Sequence, residues 1–472
     1  MSDAAAPPRD PRAHRAPSEL LDGPIARTLV RFSLPVLATN FLHSLSGTWA
    51  AIWISHALGA TALAAVVTSN VFLWMTMGAA MGIGTAAGVA IGQSRGAGDL
   101  AAGRRVAGTA LGVVLAVATV LGAAGWIGTP SILALMRTPA PALEHATTLL
   151  RLNCVAMPVT FTFYVTIMMM RGSGDARTPF RFSMMAIGLN LALSPLLLTG
   201  ALGAPRLGIA GVALGGLAAN TIALAALLWF VYSTRHPLAL RGPELRHLRP
   251  DPALASMIVR RGLPMAAEAL IVQGAYFTLI GMVNRYGTET AAAYGGAAQL
   301  WVYVQLPANA IAAGMSAMAA INIGAGRWDR VARVAGVGCA ISASFAAAAT
   351  LAIYALGDRV LGLFIPQGGE VLAIARTINH VALWGWIVLS VSMGLAAIVR
   401  ANAAMLAPTL IFAVTMWGIR VPFASLLQPL LGEAAIWWSF PFGSIASALL
   451  AVGYYRFGRW RENRPMLASG AK

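Results

Sequence analysis

Seven residues after the pair Arg260-Arg261, an otherwise apolar stretch carries a single carboxylate, Glu268. If the arginines mark a membrane surface and a helix runs inward at ~1.5 Å per residue, Glu268 lies roughly 10 Å inside it. An ionisable side chain at that depth is costly and points to function by default. A carboxylate moved between water and an apolar interior can take up a proton on one side and release it on the other. Arg420, deep in a later apolar segment, is the candidate counter-charge.

Other polar and aromatic residues form looser sets. Asn40, Ser44, Gly47 or Thr48, and Ala51 make a stripe at helical spacing, flanked by His43 and His56. The stripe could line a polar path, although hydroxyls bonded to their own helix are the simpler account. Trp53, Tyr164, Tyr276 and Trp301 could stack on organic cations. With Gln273, Asn40 and Ser44, Tyr276 and Trp301 make up the candidate substrate-binding set. The 20 methionines would supply adaptable apolar surface. His380 could titrate near neutrality. Cys154 and Cys339 sit far apart in apolar segments and suggest neither a disulfide nor a metal site. There is no HExxH, CxxC or serine-based constellation, so no catalytic residue, metal or cofactor is expected, and the chain does not read as an enzyme.

The elements that must hold these residues are membrane helices. Of 472 residues, 58% are hydrophobic and 10% charged, against about a quarter charged in a soluble domain. Twelve segments can span a bilayer: 28–52, 61–92, 106–126, 144–169, 179–200, 208–233, 256–283, 290–322, 331–356, 371–399, 405–428 and 434–457. Segments 2 and 8 are overlong and should extend past the lipid. The net charge of +17 is scattered between these segments, which argues against a nucleic-acid partner. Alternate loops and the termini hold 26 basic residues against 4 in the opposite loops. That asymmetry places both termini in the cytoplasm, in a multi-pass protein of the inner membrane.

The halves repeat. Leu34-Pro35 matches Leu263-Pro264 at an offset of 229, Gly96-Ala97-Gly98 matches Gly324-Ala325-Gly326 at 228, and Arg171 with Pro179 matches Arg400 with Pro408 at 229. Six helices per half make the repeats parallel, with the natural binding cleft between them. The expected fold is an all-α integral membrane protein of twelve helices in two parallel six-helix repeats. Residues 1–26 read as a disordered cytoplasmic tail, 27–233 as the N-lobe, 234–255 as a cytoplasmic linker with room for a short surface helix, 256–457 as the C-lobe and 458–472 as a second tail.

The stretch Arg171-Gly172-Ser173-Gly174-Asp175-Ala176-Arg177-Thr178-Pro179, followed by Asn190, Ser194-Pro195 and Gly208-Ile209-Ala210-Gly211, resembles the multidrug and toxic compound extrusion (MATE) transporter family, nearest its prokaryotic DinF-like branch. Ala292-Ala293-Tyr294-Gly295, Asn322-Ile323-Gly324-Ala325-Gly326 and Arg420-Val421-Pro422 extend the resemblance through 27–457. It implies a MATE-like fold, alternating access driven by H+ or Na+, small cationic or amphipathic organic substrates, contact with membrane lipids, and function as a monomer. The chain departs from the family at its ion sites. Acids of the DinF-like branch fall on Ala51 and Ser194, and the NorM-like acids on Val272 and on an acid-free segment 371–399. Asn190 is retained, which leaves Glu268, Asn190 and Arg420 as the ion-coupling set. Gly96-Ala97-Gly98-Asp99 with Gly103-Arg104-Arg105 partly imitates the loop signature of the major facilitator superfamily, one residue out of register. A flippase for lipid-linked saccharides is the alternative activity for this fold.

Overall fold

The structure, a computed structural model, describes residues 18–362, 369–463 and Met466. Every regular element among them is helical. Helix runs from Ile25 to Gly96 except at Gly59, whose φ of 81° and ψ of −173° leave the helical region. A residue without a Cβ adopts that geometry at little cost. The break separates α1 (25–58) from α2 (Thr61–Gly96). There follow α3 (Leu100–Leu135), α4 (Leu143–Gly172), α5 (Arg177–Thr199), α6 (Ile209–Ser233), α7 (Pro252–Val283), α8 (Thr288–Gly324) and α9 (Trp328–Leu356). In α10, two halves, Gly369–Ala382 and Trp384–Ala401, meet at Leu383. The set closes with α11 (Leu406–Leu431) and α12 (Ala434–Phe457).

Eleven of these helices are long and apolar enough to cross a membrane. The exception is α1, expected as the span 28–52, which is helical but carries Thr39, Asn40, His43, Ser44, Ser46 and Thr48. Both α2 and α8 are long, at 36 and 37 residues. Each therefore measures roughly 54 Å against a hydrocarbon core of about 30 Å. Segment 371–399, expected as continuous, is helical with only a local irregularity at Leu383, which keeps helical dihedrals (φ −61°, ψ −39°), and α11 contains a π-helical turn at Val414–Arg420.

The acids in the arginine-rich loops cap helices. Asp99 accepts from the Ala102 amide, Asp175 from Arg177 and Thr178, and Asp251 from Ala253 and Leu254. Each satisfies amides that a helix start leaves unpaired.

The two halves meet along α2, α7 and α8, where small residues let backbones touch. A Cβ at Gly82 would collide with the Gly262 carbonyl, one at Gly96 with the Ile321 carbonyl, and one at Gly324 with the Gln93 carbonyl. The chain ends reinforce this seam. A disordered tail is expected over residues 1–26; 1–17 lie outside the described residues, and 18–26 are ordered, with a short helix at Ser18–Asp22. Asn322 donates to the Leu20 carbonyl (3.1 Å), Arg327 to the Leu21 carbonyl and Asp22, and Arg330 to the Gly23 carbonyl. From the other end, the Met466 amide donates to Gln93 Oε1 (2.9 Å), and Gln93 Nε2 donates to the Ala401 carbonyl (2.7 Å). The arginine-rich end is thus strapped from both termini.

Linker residues Gly242–Leu248 form a 3-10 helix held against α3. Arg104 pairs with Glu244 at 2.6 Å and Arg105 with Asp251 at 3.1 Å. The basic residues that imitate a facilitator motif therefore anchor the linker.

Candidate ion-coupling site

Helix α7 is pinned at its arginine-rich end, because Arg261 Nη1 donates to the Ala403 carbonyl at 2.6 Å in the turn between α10 and α11. Pro264 follows, with no amide to donate and its carbonyl turned toward α11. One turn later stands Glu268. Its partner is Arg400, the penultimate residue of α10, whose Nη2 lies 2.7 Å from both carboxylate oxygens. The side chains retain 15% and 17% of their exposure, so the charges are largely desolvated but not sealed. Arg400 sits where the negative end of the α10 dipole favours a cation.

Thr409 completes the site from α11. Its hydroxyl lies 3.1 Å from Glu268 Oε2, 3.1 Å from the Pro264 carbonyl and 3.2 Å from the Met405 carbonyl. A hydroxyl has one proton to donate. Three acceptors compete for it while Glu268 is ionised. A proton on Glu268 turns that acceptor into a donor toward Thr409 Oγ1 and frees the threonine proton for a backbone carbonyl. The constellation can therefore hold Glu268 in either state: the charged form against Arg400, the neutral form against Thr409.

The repeat places a different set in the other lobe. Arg171 occupies the position of Arg400, and Thr39 that of Glu268. Thr39 donates to the Pro35 carbonyl of its own helix at 2.8 Å. No carboxylate pairs with Arg171 among the described residues, and its neighbour is Tyr164. The Tyr164 hydroxyl lies 3.2 Å from His43 Nε2. Glu268 is thus the asymmetric member of a duplicated arginine site.

Arg420, expected to neutralise Glu268, is elsewhere. It lies over the Phe440 ring at 4.9 Å, beside the Tyr294 and Tyr276 hydroxyls and 3.7 Å from Met416 Sδ. Asn190 is in the N-lobe, where its Oδ1 accepts from Ser194 at 2.5 Å, facing Gly216. The three candidate coupling residues therefore do not form one cluster. Asn40 and Ser44 are half-buried on α1, and Gln273 and Tyr276 half-buried on α7. Trp301 is buried at 6% exposure, with its indole N–H bonded to Asn379 Oδ1 (2.8 Å) and its ring stacked on Phe440. It belongs to the C-lobe core, not to an open binding surface. The sequence reading missed Arg400 and Thr409 as site residues; the repeat was the available signal, since it pairs Arg400 with the arginine of the Arg171-to-Pro179 stretch.

Comparison with known proteins agrees with the fold. The family described as MatE matches residues 35–196 and 264–426. The probable multidrug resistance protein YoeA of Bacillus subtilis is 31% identical over 440 residues, 93% of this chain and 95% of its own length. The multidrug export protein MepA of Staphylococcus aureus is 22% identical over 91% of this chain and 93% of its own. Among solved structures, a MATE protein in complex with MaD3S superposes with a TM-score of 0.85 at 20% identity, covering 94% of this chain and 97% of that one.

Proposed function

Because the chain belongs to the MatE family, we propose that it is a secondary active multidrug efflux transporter of the inner membrane. It would export cationic or amphipathic organic compounds by alternating access, with both termini in the cytoplasm and with proton antiport as the driving force. The names of the relatives, multidrug resistance and multidrug export proteins, support the activity; none of these names supports the flippase alternative. The arrangement of Glu268, Arg400 and Thr409 carries the coupling assignment.

In this reading, Glu268 binds a proton when α7 moves away from Arg400 and hands its acid O–H to Thr409. Reformation of the ion pair expels the proton. The guanidinium already occupies the carboxylate's coordination, which disfavours sodium there: a second cation would face a like charge in a low-dielectric setting. A closed seam at Gly96 and Gly324 corresponds to a carrier shut on its cytoplasmic side.

Transport in proteoliposomes, with a fluorescent organic cation and an imposed pH or sodium gradient, tests the reading. A pH gradient should drive accumulation, a sodium gradient should not, and Glu268→Gln should abolish the pH-driven component at equal protein incorporation. Unchanged transport by Glu268→Gln would remove the assignment.

A further inference from the structure

At the arginine-rich end of the C-lobe, three aromatic rings and a guanidinium surround one cavity. A 3-10 turn, Arg459–Glu462, follows α12 and folds Trp460 back onto the helix end. Trp460 is buried at 1% exposure, stacked on Tyr455 at 5.2 Å and T-shaped to Trp328 of α9 at 6.1 Å. Its indole N–H donates to the Tyr455 carbonyl at 2.8 Å, which fixes the ring. Trp328, Val331, Ala332, Tyr455, Trp460 and Arg461 line a partly open cavity of about 300 Å³. Arg461 stands over the Tyr455 ring at 5.5 Å and the Trp460 ring at 5.3 Å. Such a contact uses the face of the guanidinium and leaves its N–H edge free to donate. Arg461 forms no ion pair among the described residues. Asp329, next to Trp328, already holds Arg333 at 2.8 Å, and residues 456–462 carry three arginines against Glu462.

The cavity lies where two membrane spans end. Helix α9 starts at Trp328 and α12 ends at Phe457, and both pack on the second half of α10 rather than on each other. Ala332, Gly336 and Ala340, one turn apart on α9, are exposed, and a Cβ at Gly336 would touch nothing. This shallow face leads from the cavity along the span, and Val452, one turn before Tyr455 on α12, is exposed as well. Aromatic rings and a cation at a span end, continued by an open apolar face, complement an amphiphile with a negative head. An organic cation would meet Arg461 instead. We propose that this corner binds an anionic phospholipid, with Arg461 on the headgroup phosphate, the aromatic cup around the glycerol region and an acyl chain along the small-residue face of α9. The proposal needs only that the chain spans a membrane and does not rest on the efflux reading.

Native mass spectrometry of the full-length protein in detergent, titrated with dioleoylphosphatidylglycerol, tests it. One equivalent should be retained more tightly than dioleoylphosphatidylcholine, which carries the same chains and phosphate but no net charge. Arg461→Gln should weaken that equivalent about fivefold. Ala332→Trp, which fills the cavity and leaves every charge in place, should weaken it by a similar factor. Arg333→Gln, which removes an exposed arginine outside the cavity, should leave it unchanged. Equal retention of the two lipids, an unaltered titration in Arg461→Gln or Ala332→Trp, or an equal loss in Arg333→Gln would overturn the site. Displacement of the lipid by equimolar glycerol 3-phosphate would overturn the lipid assignment in favour of a free phosphate ester.

Discussion

In the coupling proposed above, Thr409 can serve both states of Glu268, because a hydroxyl can accept from the neutral acid after donating to its neighbours. The pair with Arg400 is partly desolvated, so removing one partner strands the other. Glu268→Gln and Arg400→Gln should each destabilise the protein by about 3 kcal/mol, and the double variant by clearly less than the sum. Thermal melts of the four proteins in one detergent measure this, and additive losses would show that the contact carries no coupling energy. Glu268 itself was legible in the sequence, since one acid among apolar residues stands out without any structure. Its partner was not. Counting from helix ends makes Arg420 the deep cation and puts Arg400 at the margin. A long, flexible side chain at the end of α10 reaches inward to the level of Glu268, and only tertiary packing reveals that.

At the scale of elements, the α2–α8 crossing depends on the absence of side chains. Gly324→Val should cost about 3 kcal/mol or force the seam apart, because its Cβ would meet the Gln93 carbonyl, which cannot turn away as a side chain end could. A lowered melting temperature checks the first outcome, and the accessibility of single cysteines introduced along α2 checks the second. An unshifted melt with unchanged accessibility would mean the backbones separate freely. The number and order of the helices could be read from apolar segment length and the repeat. The local irregularity at Leu383 and the π-helical turn at Val414–Arg420 could not, because their residues are as apolar as the helices around them. Gly59 was visible as a glycine between two segments, yet helix continues almost without pause on either side of it.

For the whole molecule, the linker joins the lobes through charge. Burial alone would raise the Glu244 carboxyl, but hydrogen bonds from Arg104 and the Arg241 amide, with the charges of Arg104 and His247, hold it below its ordinary 4.5. A carboxylate with a lowered value stabilises the docked linker above its ordinary range, and the contribution is lost as pH falls through the lowered value. Hydrogen exchange across 242–248, corrected for intrinsic rate, should show protection that is level from pH 7 to about 5 and falls at more acidic pH. Glu244→Gln should be weakly protected throughout; protection equal to wild type would show that the ion pair does not hold the linker. The strap formed by the N-terminal segment has a consequence for biogenesis. The carbonyls of Leu20, Leu21 and Gly23 are bound by Asn322, Arg327 and Arg330, residues synthesised some 300 positions later. Residues 20–23 therefore cannot dock until the first lobe, α7, α8 and the start of α9 have been made. The docking is therefore a step between the two lobes, and a bulky fusion placed directly before Ser18 should interfere with it while leaving the insertion of individual helices intact.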